Sequence, residues 1–165
     1  MTADTTTAPR RFDRLRSIHP GWILAVLDVV GLAIASYLAV VEVGGGVPVC
    51  GPLKGCETVA QSEYAKIGGI PVAVFGVGLS LLLLTLALAW IKTDHPLLLD
   101  FHYGLSLIGV IFEVYFLTLQ VFVIQAVCIW CTLYGLSLIA RFVVAMAIWM
   151  RRGRFSARYR EEHPQ

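Results

Sequence analysis

The sequence predicts an all-α membrane protein, a four-transmembrane-helix bundle with a short amphipathic capping helix in its first outer loop. Three observations lead there. The 165 residues are 58% hydrophobic and only 15% charged, and the mean hydropathy is +0.76, well beyond an ordinary soluble domain. Four apolar stretches reach or approach the roughly 20 residues that a helix needs to cross about 30 Å of hydrocarbon. Both chain ends are basic, as an even number of crossings with cytoplasmic termini requires.

The first stretch, Trp22 to Val43, carries Asp28 and, near its end, Glu42. Arg10, Arg11, Arg14 and Arg16 with Ala33-Ile34-Ala35 resemble a signal peptide. The apolar run continues past that point through Val41, however, so a retained span is expected. The second stretch, Ile70 to Ile91, carries no charge. The third, Leu97 to about Ala126, holds Asp100, His102 and Glu113 and is longer than one crossing needs; the fourth, Ile129 to Met150, holds Arg141. Lipid offers the backbone no hydrogen-bond partners, so these stretches must be helical. The alternating strands of a membrane barrel are not seen.

Charge then sets the organisation. A basic tail (1–20) precedes the membrane domain (21–150), and Arg151, Arg152, Arg154, Arg158 and Arg160 mark a second basic tail (151–165). The outer loop, 44–69, holds Lys54 and Lys66, and the link before the fourth span holds neither Lys nor Arg. Cytoplasmic termini are expected, with the loop facing outward. The net charge of +2 is an orientation signal, and no basic–aromatic face recommends nucleic acid.

That topology puts all four cysteines on the outer side, where disulfides persist. Cys50 and Cys56 lie in a Gly- and Pro-rich stretch that calls for irregular backbone. Cys128 and Cys131 open the fourth span as Cys-Ile-Trp-Cys, where a helix start favours thiolate. Four cysteines allow three pairings, and adjacent pairing is expected at rest because each loop is short. Between them, Val59, Ala60, Tyr64 and Ile67 recur at helical spacing among Glu57, Gln61, Glu63 and Lys66. This is the amphipathic capping helix, with Cys56 just before its start.

Closely spaced pairs at a membrane boundary suit reversible thiol–disulfide exchange, and a membrane quinone is the natural electron acceptor. Three other readings stand beside it. The cysteines could staple a non-catalytic tetraspan protein, four thiolates could hold zinc, or the chain could belong to the unrelated four-helix disulfide–quinone oxidoreductases. The polar residues inside the spans have structural readings too. Asp28 and Arg141 can pair, or Arg141 can snorkel or meet Glu113. Glu113 is a candidate for proton handling beside a quinone, or a satisfied buried carboxyl. Gln120 can bond a quinone oxygen or a neighbouring helix. Gly31, Ala35, Ser36, Gly76 and Gly78 suit close helix packing, and His95 and His102, placed near the cytoplasmic face, receive no catalytic role.

The loop cysteines, the run Cys56-Glu57-Thr58-Val59-Ala60-Gln61-Ser62-Glu63-Tyr64-Ala65-Lys66, Gly69-Ile70-Pro71, Phe75-Gly76 and Cys128-Ile129-Trp130-Cys131 together resemble the vitamin K epoxide reductase family. The match spans roughly Gly21 to Met150. The bacterial branch without a fused thioredoxin-like domain is implied, because only a basic tail follows Met150. The resemblance implies a membrane thiol–disulfide oxidoreductase that reoxidises a separate extracytoplasmic thioredoxin-like (DsbA-type) protein. Its electrons would pass to menaquinone or ubiquinone, with no metal. Carried over, Cys50 would exchange with the partner, Cys56 would relay to Cys128, and Cys131 would face the quinone. Ser62, Phe75, Gln120 and Tyr134 are the candidate quinone contacts. Val72 stands where the vertebrate branch has an amide, and Tyr134 lies one step from that branch's tyrosine. Vitamin K epoxide is therefore a poorer match, although an enzyme working mainly to supply quinol is a further alternative.

Overall fold

The computed structural model describes residues 19–50 and 55–162, with the side chains of 153–162 apart. The arginines at 10, 11, 14 and 16, Lys54, and the side chains of Arg154, Arg158 and Arg160 lie outside the described residues. Helix α1 (Gly21–Val43) is followed by short α2 (Gly55–Ala60), a 3-10 turn (Glu63–Ala65) and a two-stranded hairpin, β1 (Lys66–Ile67) with β2 (Ile70–Pro71). Helices α3 (Val72–Thr93), α4 (Pro96–Thr118) and α5 (Ile129–Glu162) complete the chain. Helices α1, α3, α4 and α5 each contain a run long and apolar enough to cross a membrane. The chain is a multi-pass membrane bundle.

Several boundaries have local causes. Asp94 adopts a left-handed conformation after α3, and Pro96 opens α4, where a missing N–H costs nothing. The excess length of the third stretch goes into a π-helical turn, Leu119–Ile124, that α4 runs into. Gln125, left-handed at φ 55°, stops it, with the Ala126 amide bonded back to the Gln120 carbonyl at 3.0 Å. Helix α5 runs past Met150 to Glu162, beyond the expected end of the span.

The capping helix departs from expectation. It begins at Gly55 and lasts one and a half turns, so Cys56 lies inside it rather than before it. Ser62 is extended at ψ 155° and breaks the run, and the chain then turns back through Gly68 and Gly69, both at positive φ. Of the expected apolar face, Val59, Tyr64 and Ile67 look onto one cavity, joined there by Ala65, whereas Ala60 does not line it.

Helix α1 packs against α3 and α5, and α4 closes the bundle against the same two. The apolar core sits at the end remote from the cysteines, where Leu24, Ala25, Ala87, Trp90, Leu99 and Ala145 are buried together. Large apolar side chains such as Phe101, Phe112 and Phe122 point outward, which lipid tolerates as well as an interior does.

Between that core and the cysteines lies a polar knot drawn from all four spans. Arg141, 0% exposed, reaches Asp28 on α1 at 3.4 Å and Ser80 on α3 at 3.4 Å. Within α5 it donates to the Ser137 hydroxyl at 2.9 Å and the Ser137 carbonyl at 3.1 Å. The other Asp28 oxygen meets His102 Nε2 on α4 at 3.1 Å. Arg141 therefore pairs with Asp28 and neither snorkels nor meets Glu113. His102 is buried in the knot rather than placed at the cytoplasmic face. Gly31 makes room, because a Cβ there would fall on the guanidinium. Gly78, expected to pack closely, faces open space.

Candidate functional site

Both cysteine pairs lie at one end of the bundle. Cys50 and Cys56 are joined by a disulfide, the expected adjacent pairing. Cys128 and Cys131 are both free, so the inner pair is in its dithiol form, against the expectation of a closed bond. Their local geometry shows how the thiols are held. Cys128 occupies the N-cap position of α5, and its sulfur takes the role usually played by a cap oxygen by accepting the Cys131 N–H at 3.4 Å. The Cys128 amide in turn donates to Gln120 Oε1 at 2.8 Å. The thiol–thiol hydrogen bond from Cys131 pulls the Cys128 pKa down to about 7, with backbone N–H groups of Cys131 and Trp130 helping against burial. Cys128 is thus primed as a thiolate, while its sulfur is almost wholly enclosed.

The two pairs are brought together by close backbone contact. Gly55, next to Cys56, lies against Val127, next to Cys128, and a Cβ at Gly55 would sit 3.0 Å from the Val127 nitrogen. Only glycine permits that approach. A second tie runs through Trp130, the third residue of the Cys-Ile-Trp-Cys motif. Its indole donates to the Val49 carbonyl at 2.9 Å and packs on Tyr37 with ring centroids 4.7 Å apart. The Tyr37 hydroxyl accepts the Val49 amide at 3.2 Å. Cys50 is therefore tethered to the inner pair through its neighbour Val49.

Beneath the cap lies a cavity of about 440 Å³, lined mainly by apolar groups and of ordinary ligand-site size. Cys131, Ser62, Phe75, Gln120 and Tyr134 all border it, so the structure gathers the whole candidate set around one space. Their hydrogen-bond states differ. Ser62 donates to the Val59 carbonyl at 2.7 Å, leaving only oxygen lone pairs for the cavity. Tyr134 donates to the Gly76 carbonyl at 3.0 Å and lies 3.3 Å from Ser80. Gln120 has committed its carbonyl oxygen to Cys128, so its amide N–H₂ is the group free to donate. Glu42 and Glu113 complete the polar part of the wall. Among the described residues, no three His, Cys, Asp or Glu side chains gather as a metal site.

The model of the vitamin K epoxide reductase family matches residues 22–146, a range that holds both cysteine pairs, nearly all of the first three spans and most of the fourth. The chain belongs to that family. It is accordingly a membrane thiol–disulfide oxidoreductase, from a family that is quinone-linked and generally works with thioredoxin-like partners.

The sequence alone missed the Gly55–Val127 contact and the Tyr37–Val49–Trp130 tie. Both join residues far apart in the chain, and neither has a local pattern to announce it. The one available signal for Gly55 was a glycine directly before a redox cysteine.

Proposed function

We propose that the protein reoxidises an extracytoplasmic thioredoxin-like protein and passes the electrons to a membrane quinone, so supporting disulfide formation in exported proteins. In this reading both termini face the cytoplasm and the cysteines face outward, in line with Arg151 and Arg152 at the opposite end of α5 from Cys131. The observation that carries the proposal is the position of Cys131. It borders a membrane-level cavity of about 440 Å³ whose walls are apolar, sized for a quinone head group and suited to nothing strongly charged.

The partner's thiolate attacks Cys50, opening the Cys50–Cys56 bond and freeing the Cys56 thiolate. Cys56 attacks Cys128 of the closed inner pair, and Cys131 leaves as thiolate. The partner's second thiolate displaces Cys50 from the mixed disulfide, leaving the partner oxidised, and the freed Cys50 thiolate attacks Cys56, restoring the outer disulfide and leaving Cys128 and Cys131 as a dithiol. Closing Cys128–Cys131 releases two electrons and two protons, which reduce one quinone to quinol. Ser62, Phe75, Gln120 and Tyr134 surround the head group, with the Gln120 amide as donor to one quinone oxygen. Each sulfur step is thiolate exchange, governed by thiolate fraction and access.

The test is the thiol state of purified protein, read by alkylation mass shift after adding a reduced thioredoxin-like partner and then menaquinone. All four cysteines should become reducible by the partner and then reoxidise with the appearance of quinol. Cysteines that stay bonded, or thiols untouched by quinone, would overturn the reading.

A further inference from the structure

We propose that Glu113 is the acid that hands protons from the inner dithiol to the quinone; the proposal rests on the quinone reading above. Glu113 stands on α4, 7% exposed, and borders the same cavity as Cys131. Its Oε1 has no hydrogen-bond partner, which is uncommon for a buried carboxyl oxygen. Among the described residues no Lys, Arg or His pairs with it, since Arg141 is committed to Asp28. A buried carboxyl oxygen without a partner is costly unless something else at the site uses it.

Helix α5 is shaped around this carboxyl. A Cβ at Gly135 would fall on Glu113 Oε1 and lie 2.6 Å from its carboxyl carbon. Gly135 is four residues after Cys131, hence on the same face of α5. The missing side chain opens a notch in α5 that the acid fills, on the side where Cys131 presents its sulfur.

The other polar groups of the wall do not meet the requirement. Tyr134 and Ser62 already donate to carbonyls, and a Gln120 amide can donate a hydrogen bond but cannot release its proton. The titratable groups facing the cavity besides Glu113 are Glu42 from α1, Tyr64 from the 3-10 turn of the cap, and Cys131 and Tyr134 from α5, with Cys128 close by; α3 contributes none, and Tyr64 sits in the cap rather than beside α5. Glu42 lies near the outer end of α1, beside the cap. Glu113 is the carboxyl placed deep beside α5.

The step balances as follows. Closing the Cys128–Cys131 bond releases two electrons and two protons. Cys131 delivers the electron pair. Glu113, in its acid form, gives its proton to the quinone oxygen on its side and is recharged by a thiol proton of the pair. The second proton of the pair goes to the other quinone oxygen, which completes the quinol and leaves the carboxyl unchanged.

The experiment uses full-length protein in detergent, reduced at its inner pair and mixed with short-chain menaquinone. Quinol absorbance and alkylation state are followed together. Glu113→Gln should slow quinol formation about a hundredfold, the low end for a lost general acid, at unchanged quinone KM and with the native solvent deuterium effect abolished. Glu113→Asp should recover part of the rate. Infrared difference spectra should show a carboxylic acid band that shifts when quinone is added and is absent in Glu113→Gln. If Glu113→Gln does not fold, Glu113→Asp and the native infrared band decide. A Glu113→Gln rate within threefold of native, or no quinone-responsive acid band, would overturn the assignment while leaving the quinone reading intact. Native inner thiols that quinone fails to oxidise would overturn the quinone reading and this inference with it.

Discussion

The knot around Arg141 and the cavity beside Cys131 are built from the same kinds of residue but treat them in opposite ways. In the knot the charges are matched. Arg141 spends its donors on Asp28, Ser80 and Ser137, Asp28 spends both oxygens on Arg141 and His102, and only His102 Nδ1 lacks a partner. In the cavity, polar groups keep spare capacity, with Glu113 Oε1 unpartnered and the Gln120 amide free to donate. In a low-dielectric interior a satisfied polar network holds helices in register. An unsatisfied one is tolerated where a ligand or a reaction will use it. The difference separates architecture from chemistry within one bundle.

The largest effect that could break this contrast is at the cavity. Cys131→Ala should abolish quinol formation while a mixed disulfide with the partner still accumulates at Cys50, detectable by non-reducing gel shift; normal quinol output from that variant would sink the assignment. In the knot the expected effect is on folding. Arg141→Met leaves Asp28 buried without its cation and should cost about 3–5 kcal/mol, seen as a lowered thermal midpoint in detergent. Asp28→Asn combined with Arg141→Met should recover most of that loss. If both proteins melt alike, the knot is not a matched set.

Smaller changes sharpen the comparison. Gly55→Ala puts a methyl against the Val127 backbone and should cost about 1–2 kcal/mol in the approach of Cys56 to Cys128. Partner-driven reduction of the inner pair should then slow about tenfold, with melting little changed. The smallest effect is in pH. With the Cys128 pKa near 7, its thiolate fraction is about one half at pH 7 and about a tenth at pH 6. The steps in which Cys128 acts as nucleophile should therefore quicken from pH 6 and level off above pH 8. Removing the donor in Cys131→Ala should move the Cys128 midpoint, read there from the pH dependence of its alkylation rate, upward toward the ordinary thiol range of about 8.5. A midpoint that does not move would mean that the Cys131 hydrogen bond does not set it.

How much of this was legible in the sequence depends on the range of the interaction. The four spans follow from runs such as Val72–Thr93, where lipid leaves the backbone no choice. The clustering of both cysteine pairs at one end of the bundle followed from their position at the ends of those runs, whereas the role proposed for each sulfur rests on the family resemblance. The cap was legible as an apolar stripe but not in its geometry, because the break at Ser62 and the hairpin at Gly68 and Gly69 depend on local dihedrals. Asp28 with Arg141 was foreseeable as a pair, since an isolated charge cannot stay buried. His102 joining them was not, because its depth on α4 shifts with where Pro96 starts the helix. The cavity wall drew on Ser62, Phe75, Gln120 and Tyr134 from four separate elements, and only packing brings them around one space.

Burial of the sulfurs has a consequence for fidelity. Cys56 is 0% and Cys128 2% exposed, whereas Cys50 is partly accessible. A small thiol or oxidant dissolved in water can reach Cys50, but it meets protein at the two sulfurs behind it. In the proposed relay the path is thus insulated along its length and open at its ends. Electrons following it would be shielded from leaking to passing solutes, and only a molecule shaped to dock at the loop, or one dissolved in the bilayer, would complete the circuit.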